Sequence, residues 1–208
     1  NNAALRGKDL VQQILTFSRQ VDFDKKPLRL DHVVVEVLKL IRASFPSNIE
    51  IHQELDDTCG TVMADSTQMH QIILNLCTNA LHAMMGKGGV LKIRLDKQKV
   101  GKKKLKESSK IPTGTYIRLI ISDTGHGMDM HTIERIFEPF FTKKEVGSGS
   151  GLGLSVVHGI VSSYNGTIEV TSEPGEGSTF IIYLPQHSEY YEKEIDTPQQ
   201  LKKGKGSS

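Results

Sequence analysis

The hydrophobic and polar positions divide the chain into three parts. In residues 1–24 the apolar side chains follow the 4-3-4 spacing of a heptad seam, at Leu10, Ile14, Phe17 and Val21. This spacing predicts one amphipathic helix, which is too short for a coiled coil but typical of half a helical hairpin or dimer stalk. Pro27 ends it, since proline disfavours helical backbone in the residue before it. Residues 187–208 are polar and are predicted to form a linker or disordered tail.

The middle part, residues 28–186, mixes helical and strand periodicities and predicts an α+β domain. Its predicted helices span 31–44, 65–85 and about 153–164. Its predicted strands span 49–54, 90–95, 116–122, 167–172 and 178–184, with a turn at 173–177. Asp31 is expected to cap the first helix, and Asp65 with Gln68 resembles a capping box at the start of the second.

The composition of this 208-residue chain is that of an ordinary soluble protein, with 37% hydrophobic and 24% charged residues. A domain of about 150 residues buries enough surface to fold without disulfides or a structural metal. Cys59 and Cys77 are therefore expected to be buried free thiols in a reducing compartment. The sequence has neither an apolar run of membrane-spanning length nor a signal peptide, and it begins with Asn, which suggests a fragment of a longer protein.

The formal net charge of +2 hides an uneven distribution. Residues 97–110 hold seven Lys and one Glu, and the tail adds Lys202, Lys203 and Lys205. The rest of the chain is therefore acidic overall, which argues against a nucleic-acid-binding protein. The Lys-rich segment lies between two predicted strands and contains no Phe or Tyr on which bases could stack. A solvated hairpin extension is therefore favoured over a nucleic-acid site.

The second predicted helix carries a stripe of polar side chains beside its apolar face. The stripe consists of Gln68, Gln71, Asn75, Asn79 and His82. Asn competes for backbone hydrogen bonds and is a poor helix former, so Asn75 and Asn79, one turn apart, favour a functional site. Their amide oxygens could bind Mg²⁺, which prefers hard oxygen ligands and often retains phosphate partners. A solvated helix face with two incidental Asn explains the stripe equally well.

A second candidate site follows the predicted strand at 116–122. Asp123 comes directly after the strand, and Gly125 and Gly127 allow the backbone to approach a ligand closely. Because an ionised carboxylate only accepts hydrogen bonds, Asp123 suits the exocyclic amine of adenine and disfavours the carbonyl oxygen of guanine. Taken alone, the segment is more typical of a strand that ends in a glycine-rich turn with Asp as a cap.

The third candidate is the glycine-rich run Gly147–Leu154, which leads into a predicted helix. Alternate glycines before a helix N-terminus expose backbone N–H groups to an anion, and the helix dipole adds to the attraction. The run lacks the Gly-Lys-Ser/Thr ending of a P-loop and the preceding strand of a dinucleotide-binding unit. A flexible linker would explain Gly147 to Ser150 but not the apolar periodicity that continues from Leu152.

These three segments occur in order, with Phe137-Glu138-Pro139-Phe140-Phe141 between the last two. Together they resemble the catalytic, ATP-binding domain of sensor histidine kinases, in the superfamily that includes DNA gyrase, the heat-shock chaperone ATPases and the mismatch-repair ATPases. The resemblance covers residues 28–186. It implies a two-layer α/β sandwich, the Bergerat ATP-binding fold, with about three helices over a mixed, mostly antiparallel sheet, preceded by one long helix. It also implies ATP and Mg²⁺ as cofactors.

The resemblance assigns roles to individual residues. Asn79 matches the Mg²⁺ ligand of the family, Asp123 the residue that binds the adenine amine, and Thr179 a strand Thr near the adenine. The positions it implies around the nucleotide are Asn75, Asn79, His82, Asp123, Gly125, Gly127, Met128, Phe140, Lys144, Ser150, Gly151, Leu152, Gly153, Leu154 and Thr179. Lys143 stands where the family more often has Thr, which leaves open whether Lys143 or Lys144 faces the phosphates.

Residues 5–19 resemble the second helix of the family's dimerisation and phosphotransfer domain. The phospho-accepting His of the family lies on the first helix, and none of the eight His here has its sequence context, so the chain is expected to start after its acceptor. In the hydrolysing ATPases a Glu at the position of Gln71 activates water. An amide cannot act as a general base, so Gln71 favours phosphoryl transfer to a His, which is a good nucleophile when neutral.

The resemblance implies a protein-histidine kinase domain that transfers the γ-phosphoryl group of ATP, under a mobile lid at 129–150, for relay to an Asp of a response regulator. It implies a homodimer through the helical hairpin and no nucleic-acid partner. A cytoplasmic location is expected, with any membrane tether supplied by regions outside this sequence. A protein Ser/Thr kinase of the same superfamily and a nucleotide-gated binding module are the alternatives.

Overall fold

The computed structural model describes residues 24–101, 111–143 and 150–187. The helix predicted within residues 1–24, Lys144 and the first glycines of the Gly147–Leu154 run lie outside these described residues, as does the tail from residue 188. No helix within the described ranges is long and apolar enough to cross a membrane.

Eleven helices and strands follow one another in the described ranges. In chain order they are β1 (Lys26–Leu28), α1 (Leu30–Arg42), β2 (Ile49–Leu55), β3 (Val62–Ala64), α2 (Ser66–Met84), β4 (Gly89–Val100), β5 (Gly114–Asp123), α3 (Met130–Arg135), α4 (Gly153–Ser163), β6 (Thr167–Glu173) and β7 (Gly177–Pro185). All three predicted helices of residues 28–186 and the five predicted strands are confirmed, although β4 continues five residues beyond its predicted end at residue 95. The short elements β1, β3 and α3 were not predicted.

The main sheet has five strands in the order β2-β4-β5-β7-β6, and β1 pairs with β3 in a separate two-stranded ribbon. In the main sheet β2 runs parallel to β4, whereas the other neighbours are antiparallel. Helix α2 packs on the centre of the sheet and also contacts α1 and α4, so the helices form a second layer over one face. This arrangement confirms the predicted two-layer fold with a mixed, mostly antiparallel sheet.

Alternating side chains place the core between the two layers. In β4, Leu91, Ile93 and Leu95 are buried towards the helices, whereas Lys92 and Arg94 are exposed on the other face. A smaller apolar cluster of Ile111, Tyr116 and Tyr183 lies apart from this core. Strands β4 and β5 remain paired as far as Val100 and Gly114, so the Lys-rich segment begins inside a hairpin strand, as the sequence predicted.

The start of α1 corrects the predicted cap. Arg29 occupies the N-cap position, and Asp31 lies in the first turn of the helix. The guanidinium of Arg29 donates to both carboxylate oxygens of Asp31, at 3.1 and 2.7 Å, so this carboxylate serves an ion pair rather than a cap. The predicted cap was wrong because the first acidic residue before an apolar run was taken as the N-cap, whereas the N-cap lies two residues earlier, at Arg29.

The predicted capping box at α2 is only half formed. The carboxylate of Asp65 accepts the backbone N–H of Gln68 at 3.1 Å, as predicted. The side chain of Gln68 does not return to Asp65, because the hydroxyl of Tyr164 lies between them. This hydroxyl accepts the backbone N–H of Asp65 at 3.0 Å and donates to the amide oxygen of Gln68. Gln68 is therefore buried, and Tyr164 ties the end of α4 to the start of α2.

Replacing Tyr164 with Phe is expected to lower the free energy of unfolding by about 1–3 kcal/mol, because two buried polar groups lose their partner. Denaturant titration of the purified chain measures this change. Tyr116→Phe is the matched control, since Tyr116 is also buried but its hydroxyl serves one carbonyl, that of Pro112 at 3.0 Å. Equal losses in the two variants would contradict the bridging role of Tyr164.

Candidate functional site

Helix α2 presents amide side chains towards the beginning of α4. Asn75 and Asn79 are both half-buried and lie one turn apart on α2. A Cβ placed on Gly153, the first residue of α4, would lie 3.4 Å from Oδ1 of Asn75, so the helix begins directly beside this amide. Gln71 and His82 are also half-buried, one turn before Asn75 and in the last turn of α2. The structure therefore places the predicted stripe, apart from Gln68, along one accessible flank.

Among the described residues, no side chain caps the N-terminus of α4. Its N-cap residue, Leu152, makes no capping side-chain hydrogen bond, so first-turn backbone N–H groups remain available to an anion. The hydroxyl of Ser150 accepts the N–H of Leu152 at 3.3 Å, just before the helix. Leu152 is buried and Leu154 packs against the core, which fixes the direction of α4. These contacts explain why the apolar periodicity continues beyond the glycines.

Gly151 lies against the backbone of Phe140. Its φ is +66°, and a Cβ here would come within 2.5 Å of the carbonyl carbon of Phe140. Phe140 itself has a φ of +67°, a left-handed conformation that an aromatic residue rarely adopts, and its side chain is 61% exposed. Only glycine at position 151 permits this contact between the middle of the predicted lid and the residue that follows it.

The described part of the lid, residues 129–143, is held by local interactions. The carboxylate of Asp129 caps α3 by accepting the N–H of Thr132 at 2.8 Å, and Lys143 donates to it at 2.9 Å. The hydroxyl of Thr132 and the ammonium of Lys143 hold the pKa of Asp129 well below its usual range. Phe137 stacks on His158 of α4 with ring centres 5.3 Å apart. Lys143 is therefore engaged with Asp129, whereas Lys144 lies outside the described residues.

Asp123 is the last residue of β5, and the loop that follows it contacts α2 at Ala83, about two turns along the helix from Asn75. It is buried, and its Oδ1 accepts the backbone N–H of Gly125 at 2.8 Å. Burial raises the pKa of this carboxyl, and the backbone N–H groups of Gly125 and Ser178 oppose that rise. A carboxylate kept at the edge of the core, with the N–H of Gly125 already bound, is arranged to accept a further donor from a ligand.

The two glycines after Asp123 are required by contacts within the protein. A Cβ on Gly125 would lie 2.5 Å from Cβ of Ala83 on α2, and one on Gly127 would lie 1.9 Å from the carbonyl oxygen of Glu173. The N–H of His126 donates to the carbonyl of Ala83 at 3.1 Å. The loop 124–128 is thus pressed between α2 and the β6–β7 turn, a reason for these glycines that the sequence reading did not include.

Thr179, which the family resemblance places near the adenine, pairs in register with Ser122 rather than with Asp123. Its hydroxyl donates to the hydroxyl of Ser122 at 3.0 Å, on the face of the sheet away from the helices. Asp123 instead pairs in register with Ser178, which is buried on the helix-covered face. Strand alternation was the missed signal, because the apolar side chains of Phe180, Ile182 and Leu184 already assign the even positions of β7 to the core.

The site therefore has two chemically different ends. Asp123 and Ser178 form one end, and the amides of α2 with the N-terminus of α4 form the other. Among the described residues there is no group of three His, Cys, Asp or Glu that could hold a metal ion. A divalent cation here would need amide oxygens together with oxygens of a ligand, a donor set that suits Mg²⁺. The arrangement fits a ligand with an amino-substituted ring at one end and phosphates at the other.

A family model described as histidine kinase-, DNA gyrase B-, and HSP90-like ATPase matches residues 64–188. Among curated proteins, the sensor kinase CckA of Brucella abortus is 37% identical over 88% of this chain, and the sensor histidine kinase ZraS of Escherichia coli is 30% identical over 85% of it. The chain spans 19% and 34% of the lengths of these two relatives.

Two solved structures show the same relationship. The catalytic domain of the histidine kinase ThkA is 27% identical, with a TM-score of 0.62 over 78% of this chain and 95% of that one. Full-length ShkA, solved in complex with AMPPNP, is 26% identical, with a TM-score of 0.65 over 88% of this chain and 37% of that one.

Proposed function

We propose that this chain, which belongs to the family of histidine kinase-, DNA gyrase B- and HSP90-like ATPases, transfers the γ-phosphoryl group of Mg-ATP to a histidine outside this sequence. It contains a histidine kinase ATP-binding domain. The observation that carries the proposal is that two features lie along helix α2: the N-terminus of α4 at Gly153 lies beside Asn75, and the loop after the buried acceptor Asp123 lies beside Ala83, about two turns further on.

The adenine would bind at Asp123. The carboxylate would accept a hydrogen bond from the exocyclic amine of the base, and Ser178 rather than Thr179 would stand beside it. The backbone of loop 124–128 would lie along the ring, held in place by Gly125 and Gly127. This end of the site supplies specificity for the base and contributes nothing to the chemistry of transfer.

The phosphates would bind at the beginning of α4. Its free N–H groups and the helix dipole attract negative charge, with Ser150, Gly151 and Lys144 as further contacts. Asn79 would hold Mg²⁺, and Asn75 would orient the phosphates from the same helix face. Bound Mg²⁺ would neutralise charge on the phosphates, while the protein groups fix the γ-phosphate for attack by the acceptor.

The amide chemistry of α2 supports transfer over hydrolysis. Gln71, Asn75 and Asn79 are all amides and cannot take a proton from water. A neutral His nucleophile needs no such base, since its unprotonated nitrogen attacks directly. We further infer a dimer through helical hairpins, a response-regulator domain as the final acceptor and a cytoplasmic location, where ATP is supplied.

A reconstituted transfer tests the proposal. The chain is mixed with Mg²⁺, γ-labelled ATP and the separately produced helical hairpin of Brucella abortus CckA that carries its acceptor His. The expected result is label on the hairpin that is lost in acid and stable in base, and absent when that His is replaced by Ala. Acid-stable label would favour a Ser/Thr kinase, and ATP binding without any labelling would favour a nucleotide-gated binding module.

A further inference from the structure

Three polar side chains form a row across the helix-covered face of the sheet, at the end where the adenine would bind. Asp123 on β5 pairs in register with Ser178 on β7, which pairs in turn with Ser172 on β6. The same face carries apolar side chains further along these strands, such as Phe180 and Val170.

The hydroxyl of Ser172 is fully used by three hydrogen bonds. It accepts the backbone N–H of Met128 at 2.8 Å and donates to the carbonyl oxygen of Gly177 at 2.7 Å. Its third partner is the hydroxyl of Ser178 at 3.0 Å. A hydroxyl has one proton and two lone pairs. Since the carbonyl of Gly177 can only accept, the proton of Ser172 is committed there, and Ser178 must donate its own proton to Ser172.

This arrangement fixes the direction in which the hydroxyl of Ser178 donates its proton. Its proton points along the row to Ser172, so towards Asp123 it offers lone pairs alone. The same hydroxyl of Ser172 holds the N–H of Met128, and the N–H of Gly175 donates to the carbonyl of His126 at 2.8 Å. The loop that follows Asp123 is therefore fastened to the β6–β7 turn on both sides of Gly127.

We propose that Ser172 is a specificity-determining positioning residue, which leaves Ser178 without a proton to donate to the 6-position of the base and so favours a 6-amino purine over a 6-oxo purine. The inference rests on the proposed binding of adenine at Asp123. Ser172 acts through Ser178 and Met128, without contact to the base. Removing its hydroxyl releases the proton of Ser178, which can then donate to a 6-oxo group.

Inosine triphosphate is the probe, because its base presents an oxo group where adenine has the amine. Calorimetry of the whole 208-residue chain with Mg²⁺ gives the ratio of its Kd to that of ATP. In Ser172→Ala this ratio is expected to fall about tenfold, the factor that corresponds to one neutral hydrogen bond of about 1.4 kcal/mol. In the double variant S172A/S178A, the gain for inosine triphosphate should disappear, because no hydroxyl remains to donate.

Thr171→Ala is the matched control, since Thr171 is the neighbour on β6 with an exposed side chain on the other face. Its ratio should equal that of the unchanged chain. Equal weakening of both nucleotides in S172A, or a gain that persists in S172A/S178A, would overturn the inference. Absence of ATP binding by the unchanged chain would instead overturn the proposed function.

Hydrogen exchange of the unchanged protein provides a check that does not depend on the folding of any variant. The amide of Met128 is expected to be protected without nucleotide, because Ser172 accepts its proton. Exchange at the rate of an open loop would overturn the inference even if S172A does not fold.

Discussion

Replacing Asp123 with Asn is expected to weaken ATP binding at least about 30-fold while leaving the protein no less stable at neutral pH. The loss in binding follows from the chemistry of the acceptor. A hydrogen bond to an ionised group contributes about 1.5–3 kcal/mol, and the amide would also turn an N–H group towards the adenine amine. Calorimetric titration of the variant with Mg-ATP measures the change.

The stability of this variant follows from the pKa of Asp123, which burial raises. A group with a raised pKa binds protons more readily in the folded than in the unfolded state. Its contribution to stability is therefore fully present at low pH and is lost as the pH rises through the folded-state pKa. Asn carries no charge to desolvate. The unchanged protein should thus lose stability relative to Asp123→Asn between acidic and neutral pH, as measured by thermal unfolding.

Asp96→Asn is the control with the opposite signature. Asp96 lies on the face of the sheet away from the helices, where Arg118 donates to both of its oxygens at 2.8 Å. The bond to Arg118 lowers the pKa of Asp96 against the effect of burial. Its contribution to stability is present above the ordinary Asp pKa and lost as the pH falls. Asp96→Asn should therefore destabilise the protein at neutral pH and leave ATP affinity unchanged. Similar affinities in the two variants would contradict the adenine assignment.

The fold was predictable from sequence wherever a segment was long enough to show its period. Strands β4 and β5 alternate over several residues, and α2 carries an apolar face over five turns, so their positions were predicted within a few residues. The ribbon strands β1 and β3 have three residues each, and α3 has six. Segments of this length have no readable period, and they form because tertiary neighbours or a cap such as Asp129 stabilise them.

The site was predictable in its order along the chain but not in the direction of its side chains. Asn75, Asn79 and Asp123 lie where the motifs placed them, on α2 and at the end of β5. Thr179 was matched to a strand Thr of the family, and such a match along the sequence does not define which face of the sheet a side chain occupies. Ser178 and Ser172 were missed because their role depends on the register of three strands, which no single segment contains.

Replacing Asn79 with Ala is expected to abolish the dependence of ATP affinity on Mg²⁺. Because the described residues offer no cluster of acidic or His ligands, the amide oxygen of Asn79 would be the main protein ligand of the cation. Mutation of a residue that only hydrogen-bonds to a metal ligand typically lowers metal affinity by about 10- to 100-fold. Loss of a direct ligand should lower it at least as much. Titration of the variant with ATP, once in the presence of Mg²⁺ and once in the presence of a chelator, measures how far the affinity for ATP depends on the cation.

Two further variants on the same helix show whether Asn79→Ala acts by removing a cation ligand or by disturbing α2 in general. Thr78→Ala, at the exposed neighbouring position, should retain the full effect of Mg²⁺ on ATP affinity. Asn75 lies beside the first residue of α4 and is assigned to the phosphates, so Asn75→Ala should weaken ATP binding both with Mg²⁺ and with the chelator. If Asn75→Ala loses the Mg²⁺ effect and Asn79→Ala keeps it, the two roles must be exchanged. In that case the cation would lie nearer the N-terminus of α4, where the positive end of the helix dipole disfavours it.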